Sequence, residues 1–168
     1  MYNRAMTITN WLKNHNISVN DNALIEEAFI HRSYKHENKR DILVDNQRLE
    51  FIGDAVLQLW SARYIFEINP PMNEGEMTKL RAQMVCEESL ALKAKDLALD
   101  QLIRLGKGEL LDEGNKRAST LADCFEALIG ALYLDQGFDW VDTFLKVIFK
   151  DFVTEQFKNM YKRTIIEP

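Results

Sequence analysis

Apolar residues return at helical spacing along most of the chain. Leu24, Ile25, Ala28 and Phe29 form one such stripe, and Asp21 is placed to cap its start. Thr9 or Asn10 can open a short first helix carrying Trp11 and Leu12. Asn46 to Asn69 predicts one long helix, stopped by Pro70-Pro71. Asn73 followed by Glu76 predicts a capping box and a helix through Leu80, Met84 and beyond. Arg117 to Gln136 predicts a second long helix closed by Gly137, and Asp139 starts a last one through Phe152 or further. His31–Arg40 is polar and reads as a loop or a short solvated turn. Asp100–Asn115, with Gly106, Gly108 and Gly114, reads as a loop region with room for one short helix. No segment carries a convincing strand pattern, so the expected class is all-α, with about seven to nine helices.

Composition narrows this further. A chain of 168 residues is one domain long enough to bury a full core. Seven Gly and three Pro are too few for the frequent turns of a sandwich or barrel. The balance of 21 basic against 26 acidic residues, net −5, excludes holding nucleic acid by bulk positive charge. Action on RNA or DNA would have to run through local patches or a metal. No stretch approaches the 18 or so apolar residues of a membrane span, and residues 1–7 lack the apolar core of a secretory signal. Cys86 and Cys124 lie in apolar-rich segments in no metal-like spacing. They read as reduced core thiols of a cytoplasmic protein.

Charge is scarce where helix faces should be wet. Leu49–Ala62 carries only Glu50 and Asp54, and Ala118–Leu134 only Asp123 and Glu126. At the chain average these 31 residues would hold about nine charges; they hold four, all acidic. At 100° per residue, Leu49, Ile52, Val56, Leu59 and Trp60 form the apolar side of the first helix. Gln47, Glu50, Asp54, Gln58 and Ser61 share the other. In the second, Leu121, Phe125, Leu128 and Leu132 oppose Ser119, Asp123, Glu126 and Gly130. Each acid pair therefore projects from one face, and like charges so spaced repel by a few tenths of a kcal/mol. Gly53, Ala127 and Gly130 nearby would let a backbone or a ligand approach. Acid pairs are common on solvated faces, but two such pairs in otherwise uncharged stretches suit a hard divalent cation such as Mg²⁺.

At these residues the sequence resembles the catalytic domain of bacterial ribonuclease III. Asn46-Gln47-Arg48-Leu49-Glu50-Phe51-Ile52-Gly53-Asp54-Ala55-Val56-Leu57 is similar to that family's signature. Three further blocks agree in order: His31-Arg32-Ser33-Tyr34, Glu74-Gly75-Glu76-Met77 ahead of Leu80-Arg81-Ala82, and Leu105-Gly106-Lys107-Gly108-Glu109 ahead of Ser119–Ala131. The resemblance runs from about Leu24 to Phe138. It implies an all-helical two-fold homodimer that cuts double-stranded RNA with Mg²⁺, or Mn²⁺ in its place. One strand is cut per subunit, leaving two-nucleotide 3′ overhangs with 5′-phosphate and 3′-hydroxyl ends. Carried over by position, Glu50, Asp54, Asp123 and Glu126 are the metal-binding and catalytic carboxylates. Phe51 matches an aromatic that enters the partner subunit, although by pattern alone it would be a core Phe.

Other positions carry less. Glu74 matches an acid at the edge of the family's cleft, but a first-turn Glu also suits the helix dipole. Gln47 departs from the family, which usually has Glu there. Lys116 and Arg117 stand ahead of Ser119, where they could grip a phosphate backbone or simply charge a helix end. His31 reads as a core or capping histidine, and Arg32–Arg40 with Lys158, Lys162 and Arg163 as solvated surface. The expected division is a catalytic domain over 1–153 and a tail or linker over 154–168, with no double-stranded RNA-binding domain following. Two other readings remain open: a catalytically weak dimeric RNA-binding scaffold of this family, and an unrelated helical phosphohydrolase acting on nucleotides.

Overall fold

Helix α8 (Ala118–Gln136) forms the centre of the protein because most of its residues are apolar. Thr120, Leu121, Ala122, Cys124, Phe125 and every residue from Ala127 to Leu132 are buried. Helix α4 (Gln47–Phe66) packs along it more extensively than any other element. The other helices in chain order are α1 (Ile8–Asn14), α2 (Asn22–Ala28), α3 (Arg32–Glu37), α5 (Glu74–Met84), α6 (Glu87–Asp96), α7 (Lys107–Leu111) and α9 (Phe138–Ile148). Single 3-10 turns at Leu99–Gln101 and Gly114–Lys116 flank α7. The computed structural model describes residues 6–152, 154 and 155. Among them the fold is all-α; an isolated bridge between Ile30 and Arg104 is the only extended pairing.

The capping reasoning holds at Asp21, whose carboxylate accepts from the N–H groups of Ala23 and Leu24, and at Asn73–Glu76, where the full capping box forms. Gly137 closes α8 at φ 89°, a value that favours glycine. The start of α1 moves: Thr7 caps it, accepting from Asn10 N–H, rather than Thr9 or Asn10.

Arg32–Arg40 is not simply a loop. His31 Nδ1 accepts from Ser33 N–H at 3.2 Å and starts α3, which is six residues long and so too short to show a period. The helix after the capping box stops at Met84. Cys86 and Ser89 there donate to the carbonyls of Gln83 and Met84, the chain turns, and α6 begins. Likewise α4 ends at Phe66, and α9 starts at Phe138 and is interrupted by a turn at Phe149. Two wheel positions on α4 also differ. Leu59 is 61% exposed, whereas Ser61 is buried, its hydroxyl satisfied within the helix by donating to the Gln58 carbonyl. Cys124 is a core thiol; Cys86, at the α5–α6 turn, is only half-buried, and both are free.

Long-range bonds fix the frame around the acidic helices. Trp60 Nε1 donates to Asp142 on α9 (3.0 Å), and Trp11 Nε1 donates to the Leu97 carbonyl after α6 (2.7 Å). Asn46 N–H, just before α4, donates to the Ile30 carbonyl (2.8 Å), while Arg104 N–H reaches Phe29 (2.7 Å). The segments entering α3 and α4 are thereby held together. No helix of the described residues is long and apolar enough to cross a membrane. Lys158, Lys162, Arg163 and most of the 154–168 segment lie outside the described residues.

Candidate metal centre

Two glycines let the acidic helices touch. A Cβ on Gly53 would run into the Glu126 carbonyl and lie 3.0 Å from Gly130 nitrogen; one on Gly130 would meet the Leu49 carbonyl. Backbone therefore packs on backbone where α4 crosses α8. That contact sets Glu50 opposite Asp123 and Glu126, one carboxylate oxygen from each lying within 4.8 Å of the others. All three side chains are half-buried. Asp54 stands beside them, exposed, and accepts from Gln58 Nε2 at 3.4 Å.

The electrostatics are those of a site that would hold a cation. Glu126 is pushed up to about 8, first by burial and then by the charges of Asp54, Asp123 and Glu50. Glu50 is raised by burial and by Asp123 and Asp54. Asp123 is raised by burial and by Glu87 at the start of α6. Shifts of this kind mark groups brought together against their own repulsion. The donor set is all carboxylate, which suits a hard divalent ion. Ligands around Mg²⁺ at about 2.1 Å are at most about 4.2 Å apart. Oxygens already within 4.8 Å of one another can be drawn onto one ion by side-chain rotation, so these residues fit such an ion.

A polar cavity of about 230 Å³ adjoins the cluster. Glu50 and Asp123 line it together with Arg32, Gln47, Glu109, Arg117 and Thr120, among others. Arg117 is held by Glu109 at 2.9 Å and lies 4.0 Å from Asp112. His31 also lines it, with Nδ1 committed to Ser33, whose hydroxyl in turn accepts from Gly106 N–H at 2.9 Å. Burial lowers its pKa, as befits a capping histidine.

The other singled-out residues are placed as follows. Gln47 is exposed at the cavity wall. Lys116 turns away to an ion pair with Glu113 (2.6 Å) and does not line the cavity. Glu74, exposed at the start of α5, accepts from Thr78 (3.3 Å) and is not part of the cluster. Phe51 is not a core residue: it is 81% exposed. Sequence reasoning missed Arg32, Thr120, Glu109 and Glu87. Arg32 sat in a segment read as loop, and the other three enter only through tertiary packing.

A family model described as Ribonuclease-III-like matches residues 21–152. Ribonuclease 3 of Oceanobacillus iheyensis is 51% identical over 144 residues, covering 85% of this chain and 63% of that protein. Ribonuclease 3 of Bacillus cereus is 52% identical over 132 residues, covering 79% of this chain and 54% of that one. The chain thus spans little more than half to under two thirds of these relatives. Among solved structures, the nuclease domain of ribonuclease III from Campylobacter jejuni superposes with a TM-score of 0.76 at 36% identity, over 84% of this chain and 96% of that one. That structure is described as flexible in a region involved in dimer formation. Dicer from Pichia stipitis aligns with a TM-score of 0.60 at 28% identity, over 83% of this chain and 58% of that one.

Proposed function

Because this chain belongs to the ribonuclease III family, we propose that it is an endoribonuclease that cleaves double-stranded RNA by Mg²⁺-dependent phosphodiester hydrolysis. The observation that carries this reading is the meeting of Glu50, Asp123 and Glu126 across the α4–α8 crossing, with Asp54 beside them. A homodimer would cut one strand per subunit and leave two-nucleotide 3′ overhangs with 5′-phosphate and 3′-hydroxyl ends. Residues 1–153 would be the catalytic unit.

When bound, a divalent ion supplies Lewis acidity toward the phosphate and an acidified water. The chain's own residues do the rest. Glu50, Asp123 and Glu126 present oxygens from two helices, and Glu126 gives up its proton to do so. Asp54, steadied by Gln58, completes the set. Arg117, fixed by Glu109, positions a phosphate at the cavity wall, with Lys116 on the outer edge. Gln47 presents an amide to the same cavity without adding charge. Glu74 would border the cleft, and exposed Phe51 would enter the partner subunit. The free thiols suit a reducing cytoplasm.

The test is end-labelled double-stranded RNA at low salt, with Mg²⁺, with Mn²⁺ and with EDTA. Metal-dependent products with two-nucleotide 3′ overhangs are expected. Intact RNA, with a folded dimer that still binds Mg²⁺, would refute autonomous cleavage.

A further inference from the structure

The polar cavity beside the carboxylates holds a feature that binding of an ion does not explain. Arg32, the first residue of α3, lines it together with Glu50 and Asp123, yet makes no ion pair among the described residues. Its charge acts on both carboxylates, offsetting a small part of the rise that burial and neighbouring acids impose on them. A cation there works against a metal, so its placement calls for an anion. Arg117 stands in the same cavity, its guanidinium steered by Glu109. Thr120 opens into it as well: only 6% exposed, its hydroxyl forms no hydrogen bond among the described residues. Two guanidinium groups and a free hydroxyl are donors without enough acceptors, the complement of a phosphate oxyanion. The carboxylates Glu50, Asp123 and Glu109 on the same walls would repel that anion until a divalent ion neutralises the first two.

We infer that Arg32, Arg117 and Thr120 form an oxyanion subsite that receives an RNA phosphate next to the one at the carboxylate cluster, filled only after the metal. The inference rests on the nuclease reading for the identity of its ligand, but not for its existence. In this role Arg32 is a substrate-binding residue and Glu109 a positioning residue that acts through Arg117.

The experiment has three arms on the full chain. Inorganic phosphate is titrated into the Mg²⁺-loaded protein and followed by calorimetry. Mg²⁺ affinity is measured without phosphate. Cleavage of double-stranded RNA gives KM and kcat. Arg32→Gln should weaken phosphate about tenfold and raise KM more than it lowers kcat. It should also bind Mg²⁺ a few-fold more tightly, because a repelling charge is gone. Thr120→Val should weaken phosphate without changing Mg²⁺ affinity. Phosphate binding should need Mg²⁺. The subsite is overturned if wild-type, Mg²⁺-loaded protein takes up no phosphate. It is equally overturned if Arg32→Gln leaves phosphate and KM unchanged, or weakens Mg²⁺ and phosphate together as a folding defect would. If the wild type cuts no RNA, the nuclease reading fails, while the phosphate and Mg²⁺ arms still decide the subsite.

Discussion

A single methyl group at the helix crossing should damage both stability and the metal centre. Alanine inside a helix is favoured over glycine by about 1 kcal/mol, so Gly53→Ala and Gly130→Ala would stabilise if space allowed. It does not. The new Cβ would overlap the Glu126 carbonyl in one case and the Leu49 carbonyl in the other. Both obstacles are helix backbone and cannot rotate aside. Reaching ordinary contact near 3.4 Å requires the helices to part by well over an ångström. Overpacking of a rigid core costs about 1–3 kcal/mol or more, and backbone against backbone belongs at the top of that range. The net loss should be about 2 kcal/mol, roughly 1 M in urea midpoint for a typical m-value. The same displacement moves Glu50 on α4 away from Asp123 and Glu126 on α8, so Mg²⁺ affinity should fall at least tenfold. Gly108→Ala is the control: it lies within α7, and its Cβ would meet nothing within 4 Å. It should be neutral or stabilise by up to about 1 kcal/mol. Urea unfolding in EDTA reads the first effect and calorimetric Mg²⁺ titration the second. A Gly53→Ala protein as stable as wild type, with unchanged Mg²⁺ affinity, would refute the argument that backbone contact builds the site.

In EDTA the fold should weaken as pH rises. Glu126 is raised in the folded chain from 4.5 to about 8, so its contribution is fully present below the unfolded value and is lost as pH rises through the folded one. The slope reaches at most about 1.4 kcal/mol per pH unit. Urea midpoints from pH 5 to 9 should fall in wild type and flatten in Glu126→Gln; parallel curves would sink the assignment. Below pH 8, Mg²⁺ affinity should rise by up to tenfold per unit as binding displaces that proton. Phe51→Ala should weaken self-association at least tenfold by sedimentation while changing monomer stability by less than about 0.5 kcal/mol, because the ring is 81% exposed. Alkylation of the native protein should label Cys86 and spare Cys124, whose thiol burial pushes up to about 12; mass spectrometry of the labelled peptides checks this.

What could be read from the chain and what could not divides along one physical line. Signals confined to a single helix were legible. The α4 and α8 acid pairs stood out because Leu49–Ala62 and Ala118–Leu134 carry no other charge, and the caps at Asp21 and Asn73 obey local hydrogen-bond rules. Failures came where the decisive partner is distant in sequence. Arg32 read as solvated loop because α3, capped by His31, is a six-residue helix with no period to detect. Its bearing on Glu50 and Asp123 exists only once Asn46 and Arg104 tie the neighbouring segments together through Ile30 and Phe29. Thr120 carried no signal in the sequence; only packing places this largely buried residue at the cavity wall. Ser61 and Leu59 exchanged expected exposures because α4 is covered on some flanks and open on others, which a one-sided wheel cannot express. The carboxylate cluster is thus the part of this site that a helix pattern can announce. The groups that would hold a phosphate are assembled from α3, α8 and the α7 segment, and only the packed chain brings them together.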